Sequence, residues 1–282
     1  MARADGLGAI AVLGLGEAGA ALAGGLAAAG ARVRGFDPAG AAPPAGVEAV
    51  ADATDAVRTS DVILSVNSAA AALEVAKTAA PVLGESHLFA DLNTAAPELK
   101  RTIARAVEAR GARFADVAIM APVPGRGIRA PVLVSGTGAE EFAAVFESFG
   151  MPVTRVGSEP GAAAARKLAR SVFMKGLAAA VGESLAAAER LECEEWLYAD
   201  IEATIAGADE RLLRRLIEGS RVHAARRSEE MEAAVAMLEE LGVEPRVAAA
   251  SREWLRSLCR TEAVGSSGRR AAVSSGRTEV SR

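Results

Sequence analysis

Near its start the chain passes from a short apolar segment into a glycine-rich turn and then into an alanine-rich helix. The apolar residues 9–13 (AIAVL) lead directly into residues 14–19 (GLGEAG). In such a strand–turn–helix unit, the first glycine permits the tight turn, the second lets backbone amides approach a pyrophosphate, and the third allows close helix packing. Unpaired N–H groups at the start of the helix favour an anion there. The predicted dinucleotide-binding residues are Gly14, Leu15, Gly16, Glu17, Ala18 and Gly19.

The second predicted strand, residues 32–37 (RVRGFD), ends in a carboxylate. Asp37 lies about 20 residues after the glycine turn, where an acid typically hydrogen-bonds the ribose hydroxyls. Asp37 therefore favours NAD as cofactor. An Asp-Pro pair is also an ordinary turn at a strand end, and Arg32 and Arg34 lie nearby in sequence, so NADP stays possible.

Composition limits the class of protein. The 282 residues, 51% of them hydrophobic, suffice for one large or two ordinary domains. A net charge of −4 and 4% aromatic residues argue against a nucleic-acid partner. Cys193 and Cys259 show no pairing pattern and indicate reduced thiols in a cytoplasmic protein. The Gly/Ala-rich residues 8–31 include Glu17 and are interpreted as a strand and helix, with no signal peptide and no membrane partner.

Strand-like and helix-like segments alternate over the first 160 residues. Further strands are predicted at 47–50, 61–66, 87–91, 113–119, 131–135 and 152–156, and helices at 69–83, 95–110 and 139–149. This alternation predicts an α/β fold, a doubly wound parallel sheet of the Rossmann type over residues 1–160. Ligands of such sheets bind beyond the carboxyl ends of the strands.

The chain shows no convincing strand after residue 160, so an all-α C-terminal domain is predicted over residues 161–263. Helices are predicted at 162–191, 194–205, 209–218, 223–241 and 245–258. Residues 264–282, rich in Ser, Gly and Arg, are predicted to form a disordered tail. The helix at 162–191 is longer than a compact domain of this size easily covers. We therefore predict a symmetric homodimer in which a partner chain buries this helix.

Two segments of the sheet domain resemble the β-hydroxyacid dehydrogenase family, which includes 3-hydroxyisobutyrate dehydrogenase and 6-phosphogluconate dehydrogenase. The first is the glycine turn at 14–19, together with Gly30 and Asp37. The second, residues 91–97 (DLNTAAP), is similar to the family's Asp-x-Ser-Thr-x-x-Pro loop. The resemblance implies that side chains of this loop hold the substrate near the nicotinamide.

Two later segments extend the resemblance. Residues 116–136 match the length of the family's substrate loop, and residues 161–171 (GAAAARKLARS) resemble its Gly-x-Gly-x-x-x-Lys-x-x-Asn-Asn motif. Lys167 falls where the family has its catalytic lysine. Residues 167–176 and 220–245 resemble the C-terminal domain of phosphogluconate-dehydrogenase-like members of the family. Residues 120–122 (MAP) replace the family's Ser-Gly-Gly, and further departures indicate a divergent branch. These departures are Asn93 for a serine, Ala163 for a glycine, and Arg170 and Ser171 for two asparagines.

A lysine also suits the chemistry, independently of the family. Oxidising an alcohol with a nicotinamide requires a proton acceptor beside the carbinol. Lys167, Ser171 and Lys175 recur at i, i+4 and i+8 and share one predicted helix face. We predict Lys167 as the general acid/base, and Ser171 and Lys175 as substrate-binding residues. The alternative is a pair of solvated lysines and a packed serine on an amphipathic helix.

Polar residues follow two predicted strands at the edge where ligands bind. Asn93 and Thr94 follow the strand that ends at Asp91 and are predicted to contact the substrate. Thr94 could instead be a helix N-cap, with Glu98 beyond it. Asn67 is predicted to meet the nicotinamide ribose, and its alternative is a turn residue.

Other candidate sites are weaker. His223, Arg226, Arg227 and Glu230 share one predicted helix face, which either receives a carboxylate or phosphate or is a solvated charged surface. No Cys/His cluster has metal-ligand spacing. The two histidines of the chain give no support for a Ser-His-Asp hydrolase.

The sequence thus predicts an NAD(P)-dependent oxidoreductase that transfers a hydride between a nicotinamide and a small anionic hydroxy acid. Lys167 is the predicted proton donor and acceptor. Two alternatives stay open: an imine reductase, which shares this architecture but typically replaces the lysine, and a non-catalytic NAD(P)-binding redox sensor.

Overall fold

Eight strands form one sheet in the first part of the chain. The computed structural model describes residues 8–274, with side chains for residues 8–260. The strands are β1 Ile10–Leu13, β2 Val33–Phe36, β3 Val47–Ala49, β4 Val62–Ser65, β5 Leu88–Asp91, β6 Arg113–Ile119, β7 Val132–Ser135 and β8 Val153–Arg155. Their order in the sheet is β3-β2-β1-β4-β5-β6-β7-β8. The predicted Rossmann-type sheet is confirmed.

One pair of neighbouring strands departs from the predicted parallel arrangement. β6 and β7 pair antiparallel, with Asp116 opposite Ser135, whereas the other neighbours are parallel. The connection between them contains a single 3-10 turn at Gly127–Arg129 and no crossover helix. Parallel strands need such a crossover, so β7 returns in the opposite direction.

Helices cover both faces of the sheet. They are α1 Glu17–Ala28, α2 Ala53–Arg58, α3 Ala72–Ala79, α4 Pro97–Glu108 and α5 Ala139–Ser148. Side chains alternate along β1, so that Ile10 and Val12 join the core beneath α1 and α5, while Ala11 and Leu13 join the core beneath α2, α3 and α4. Strands buried on both faces explain why the sequence shows continuous apolar runs.

The rest of the described chain is helical. It contains α6 Ala162–Arg190, α7 Glu194–Ala206, α8 Glu210–Val222, α9 Ala224–Glu240 and α10 Arg246–Ser274. No strand is described between Arg155 and Ser274, so the predicted all-α region is confirmed. Two predictions need correction. His223 lies at the junction of α8 and α9 and not within a helix. Helix α10 runs past residue 264, the predicted start of the disordered tail, and residues 275–282 lie outside the described part.

The chain divides into two compact units within α6, one extending to Arg170 and the other beginning at Ser171. The predicted boundary at residue 160 lies slightly earlier. The first turns of α6 belong with the sheet because Ala163 and Ala164 are buried and their amides donate to side chains of β6 and β7.

The helical unit has a small core of its own. Ala187, Val235, Leu238 and Ala248 form its buried apolar cluster. The carboxylate of Glu183 accepts hydrogen bonds from the backbone amides of Val247 and Ala248, at 2.7 and 2.8 Å. Glu183 thereby caps the start of α10, which ties the middle of α6 to α10.

Candidate functional site

The glycine turn after β1 is shaped by close backbone contacts. Gly14 has a φ of +108°, and a Cβ at this position would overlap with the carbonyl oxygen of Val66. A Cβ at Gly19 would overlap with the carbonyl oxygen of Gly14. A Cβ at Gly16 would have no atom within 4 Å. The fold therefore requires Gly14 and Gly19, whereas Gly16 leaves open space at the start of α1.

The residues around this space fit a dinucleotide. Gly16 is the N-cap of α1, and no side chain caps the helix, so its first N–H groups can bind a pyrophosphate. Leu15 donates its amide to Asp37 Oδ2 at 2.7 Å, and Ala39 donates to Oδ1 at 2.8 Å. These bonds fix Asp37 beside the glycine turn. A carboxylate accepts about four hydrogen bonds, so the Asp37 carboxylate retains acceptor sites for ribose hydroxyls.

Arg32 and Arg34, which lie near Asp37 in sequence, both contact Glu48. Arg34 Nε lies 3.2 Å from the Glu48 carboxylate, and Arg32 Nη2 lies 3.8 Å from the same group. Glu48 lies on β3, the strand next to β2. Both guanidinium groups therefore have an anionic partner within the protein.

Asn67 and Asn93 link the ends of β4 and β5. Asn93 Oδ1 accepts a hydrogen bond from the Asn67 amide at 2.6 Å, and Asn93 Nδ2 donates to Ser65 Oγ at 3.2 Å and to the Asp91 carboxylate. The Asn67 side chain also donates to Ser65 Oγ, at 3.0 Å. Asn93 is 5% exposed. Both polar atoms of its side chain thus form hydrogen bonds inside the protein, and its substrate contact stays a prediction.

Thr94 and Lys167 are brought together although 73 residues separate them. Lys167 Nζ donates to Thr94 Oγ1 at 2.7 Å, just beyond the carboxyl end of β5. Thr94 is not the helix N-cap, since α4 is capped at Ala96 and begins with Pro97. The structure therefore brings one predicted residue of the 91–97 loop into contact with the predicted lysine of α6, a contact that the sequence analysis did not predict.

Glu98, the other member of the alternative capping interpretation, is engaged elsewhere. Hydrogen bonds from the guanidinium groups of Arg101 and Arg105 hold the pKa of the Glu98 carboxyl below its usual value. Arg101 Nη2 lies 2.7 Å from this carboxylate. Glu98 therefore belongs to the exposed surface of α4.

A buried ion cluster lies beneath the Thr94 loop, and sequence reasoning missed it. Lys100 is 0% exposed, and its Nζ lies 2.7 Å from Asp91 Oδ2, 3.2 Å from Asp116 Oδ1 and 2.8 Å from the Asp91 carbonyl oxygen. A signal was available in the sequence, because Lys100 occupies the apolar face of α4. The buried residues of that face are Lys100, Ile103, Ala104 and Val107.

The same cluster anchors the start of α6. Asp116 Oδ2 accepts hydrogen bonds from the amides of Gly161 and Ala164 at 3.1 and 3.0 Å. Ser135 Oγ accepts from the amide of Ala163 at 3.0 Å. Three of the orphan N–H groups at this helix end are thereby satisfied by side chains of β6 and β7. Lys167 follows within two turns.

The remaining predicted residues are not gathered at this site by described contacts. Ser171 and Lys175 lie farther along α6, in the helical unit, and their substrate contacts stay predictions. The predicted charged face around His223 is paired within the protein. Arg226 forms an ion pair with Glu230, and Arg227 donates to Ser220 Oγ at 2.6 Å. The described residues contain no group of His, Cys, Asp and Glu that could hold a metal ion.

Comparison with known families agrees with this geometry. Residues 9–158 match the NAD binding domain of 6-phosphogluconate dehydrogenase, and residues 188–258 match a domain of unknown function, DUF1932. Mitochondrial 3-hydroxyisobutyrate dehydrogenase of Drosophila melanogaster is 28% identical over 201 residues, which are 68% of this chain and 62% of the fly protein. The match thus spans less than two thirds of that enzyme. These matches confirm the resemblance seen in the sequence.

Two solved structures are similar over most of the chain. A conserved hypothetical protein from Sinorhizobium meliloti 1021 is 34% identical with a TM-score of 0.59, over 89% of this chain and 88% of that one. An imine reductase from Myxococcus stipitatus in complex with NADP+ is 23% identical with a TM-score of 0.77, over 90% and 94%. Because the second identity is so low, that likeness shows the fold alone.

Proposed function

Because the chain belongs to the β-hydroxyacid dehydrogenase family, with an NAD binding domain of the 6-phosphogluconate dehydrogenase type, we propose that it oxidises or forms a small anionic hydroxy acid. In this proposal Lys167 is the general acid/base. The observation that carries it is the 2.7 Å hydrogen bond from Lys167 Nζ to Thr94 Oγ1 at the carboxyl end of β5. Ligands of such sheets bind at that end.

Oxidation of a hydroxy acid needs, besides the cofactor, one group that accepts the hydroxyl proton. A bound nicotinamide dinucleotide supplies the hydride acceptor for alcohol oxidation. Lys167 accepts the hydroxyl proton as the carbonyl forms, and returns it in the reverse direction. Thr94 Oγ1 accepts from Lys167 and keeps its own O–H as a donor, so this hydroxyl can orient the substrate oxygen against the lysine.

NAD is the cofactor that the described contacts support. Asp37 is held beside the glycine turn by the Leu15 amide, where it can accept hydrogen bonds from both ribose hydroxyls. The 2′-phosphate of NADP would lie beside this carboxylate and be repelled by its negative charge. Arg32 and Arg34 contact Glu48 and do not form a described phosphate site.

An anionic substrate is supported by Arg170, which stands where the family has an asparagine. Arg170 lies three residues after Lys167, so the two cations are neighbours on the surface of α6. Its guanidinium donates to the Met120 carbonyl at 3.5 Å, and no carboxylate among residues 8–260 forms an ion pair with it. A substrate carboxylate can fill that role. Ser171 and Lys175 would add substrate contacts.

A substrate panel tests the proposal. The purified protein is incubated with NAD or NADP and a series of short 2-, 3- and 4-hydroxy acids, and reduced cofactor is followed by its absorbance. We expect turnover of at least one hydroxy acid, with NAD preferred, and none of the matching hydroxy amides. Turnover of neutral alcohols at rates equal to those of the acids would contradict the anionic class.

The two alternative functions are distinguished by the same assay. An imine reductase would oxidise cofactor with cyclic imines and leave the hydroxy acids unchanged. A redox sensor would bind cofactor and turn over neither panel. Retention of Lys167 favours the dehydrogenase.

We also propose that the protein is a homodimer joined through the helical unit. Helix α7 has no buried residue. Helix α6 is long and apolar enough to cross a membrane, and only 11% of its most apolar 18-residue window is buried. An apolar, exposed helix surface is also expected where a second chain covers the helix. Helices α6, α7 and α8 expose large apolar side chains, which we call the α6–α8 surface. They are Val172, Phe173, Met174, Leu177, Trp196, Tyr198, Ile205, Leu213, Leu216, Ile217 and Val222. This number of exposed apolar side chains in one unit favours an interface with a second chain.

Light scattering tests the dimer. At micromolar concentration we expect twice the mass of one chain. Trp196→Glu should raise the monomer fraction, whereas Trp254→Glu, at an exposed tryptophan of α10 outside the α6–α8 surface, should not. A monomeric wild type would contradict the proposal.

The cysteines support a cytoplasmic location. Cys193 and Cys259 are both free thiols in the structure, as expected of a reducing compartment. Two reactive thiols per chain under native, oxidant-free conditions would agree with this proposal, and an intermolecular disulfide in the freshly isolated protein would contradict it.

A further inference from the structure

Lys100 has no role in the proton transfer described above, yet it is the one lysine of α4 and is fully buried. Burying an ammonium group is costly unless each of its protons meets an acceptor. The three Nζ protons of Lys100 have three oxygen atoms within 3.2 Å, from Asp91 and Asp116. The cluster of Lys100, Asp91 and Asp116, here called the buried ion cluster, therefore pairs one buried cation with two buried carboxylates.

One carboxylate of the buried ion cluster controls the position of α6. Asp116 Oδ1 faces Lys100, while Oδ2 accepts from the amides of Gly161 and Ala164. Gly161 has a φ of +94° and lies against Pro97 so closely that a Cβ would be 2.8 Å from the Pro97 carbonyl oxygen. The start of α6 thus packs against the first residue of α4.

The other carboxylate controls the position of the Thr94 loop. Asp91 Oδ2 faces Lys100, while Oδ1 accepts from Asn93 Nδ2. Asn93 precedes Thr94 directly, and its side-chain oxygen is held by the amide of Asn67. The buried ion cluster is therefore connected by hydrogen bonds to both partners of the Thr94–Lys167 contact.

We propose that Lys100 is a positioning residue that holds Lys167 and Thr94 at hydrogen-bond distance. The ammonium group of Lys100 links two carboxylates, and each of these carboxylates fixes one side of the contact. Without the ammonium group, no cation links Asp91 to Asp116, and the start of α6 moves relative to the Thr94 loop. The inference rests on the proposed role of Lys167 as general acid/base.

The test compares Lys100→Met with Lys77→Met. Lys77 is a matched control because it is an exposed lysine of α3 whose Nζ lies 2.8 Å from Glu74. For Lys100→Met we expect kcat to fall about 10- to 100-fold, the size of effect that follows a displacement of about 1 Å in a catalytic group. KM for NAD should change less than about twofold, since the glycine turn lies on other elements. Lys77→Met should match the wild type.

A second readout does not depend on turnover. The rate at which Lys167 reacts with trinitrobenzenesulfonate is measured against pH, with the modified peptide identified by mass spectrometry. The profile should shift in Lys100→Met and not in Lys77→Met. If Lys167→Met itself retains normal turnover, the proposed function fails, whereas the labelling profile still reports whether Lys100 positions Lys167.

A double variant covers the outcome in which Lys100→Met does not fold. Lys100→Met with Asp116→Asn removes one buried negative charge together with the cation and keeps an oxygen to accept from the amides of α6. The double variant should fold and retain the loss in kcat. A folded variant with kcat within twofold of the wild type and an unchanged labelling profile would overturn the proposal. Failure of both variants to fold would also overturn it, by showing that the cluster serves stability alone.

Discussion

The cofactor side of the candidate site, residues 14–19 with Asp37, and the substrate side, Thr94 with Lys167, are held in place by different interactions. On the cofactor side, Gly14 and Gly19 are fixed by close backbone contacts that leave no room for a Cβ. On the substrate side, the geometry depends on hydrogen bonds and on a buried ion cluster beneath the loop.

Because of this difference, the two sides should respond differently to substitution. A steric constraint in one short segment fails abruptly when a single methyl group is added. A polar arrangement assembled from β5, β6, α4 and α6 fails by loss of partners, at sites distant in sequence. Matched substitutions on the two sides separate these two responses.

Gly19→Ala and Gly16→Ala are the same change three residues apart. Gly19→Ala should lower the free energy of unfolding by at least about 3 kcal/mol, because its Cβ would overlap with the Gly14 carbonyl. Gly16→Ala should alter this free energy by less than about 1 kcal/mol, since the space there is open. Its Cβ should instead weaken NAD binding at least about tenfold, or 1.4 kcal/mol.

Chemical denaturation and fluorescence titration with NAD check this pair. Equal stability losses in the two variants would show that the steric account of the turn is wrong. Unchanged NAD affinity in Gly16→Ala would show that the pyrophosphate of NAD does not bind beside Gly16.

Asn93→Ala and Thr94→Ala separate support from function on the substrate side. Asn93 is buried and hydrogen-bonded to Asn67, Ser65 and Asp91, so its loss should lower the free energy of unfolding by about 1–3 kcal/mol. Thr94 is exposed, so Thr94→Ala should change stability by less than about 0.5 kcal/mol while reducing turnover. A reversed pattern, with Thr94→Ala less stable and Asn93→Ala inactive but stable, would favour a substrate contact by Asn93 over one by Thr94.

Asp37→Ala tests cofactor choice. Loss of the carboxylate should weaken NAD relative to NADP by about tenfold, or 1.4 kcal/mol. Asp52→Ala is the matched control, because Asp52 also accepts a backbone hydrogen bond, from Thr54 at the start of α2, and has no predicted ribose contact. The ratio of the two dissociation constants should change in the first variant only. A wild type that prefers NADP tenfold would contradict the NAD assignment.

Much of the fold could be predicted because its signals are local. The glycine turn, the alternation of strands with helices and the uninterrupted α6 each lie within a continuous segment, and the observed α6, Ala162–Arg190, ends one residue before the predicted end. The antiparallel return of β7 could not be predicted, since residues 120–131 are long enough for a crossover but form only a single 3-10 turn.

The candidate site was only partly predictable, for the same reason. The motif around Lys167 indicated the lysine, and the loop at 91–97 indicated Thr94, but their contact joins residues 73 apart. The direction of the Asn93 side chain depends on Ser65 and Asn67 of the preceding strand and its following loop. Only the structure shows that Asp91 and Asp116 share Lys100.

In the proposed mechanism, Lys167 exchanges the substrate proton while the glycine turn and Asp37 hold the cofactor. The most direct measurement is the turnover of Lys167→Met on the best hydroxy acid, with the dissociation constant of NAD measured on the same sample and Lys175→Met as comparator. We expect a loss in kcat of about 10²-fold or more, with NAD affinity unchanged within about twofold. Near-normal turnover of Lys167→Met, and a large loss in Lys175→Met, would contradict it.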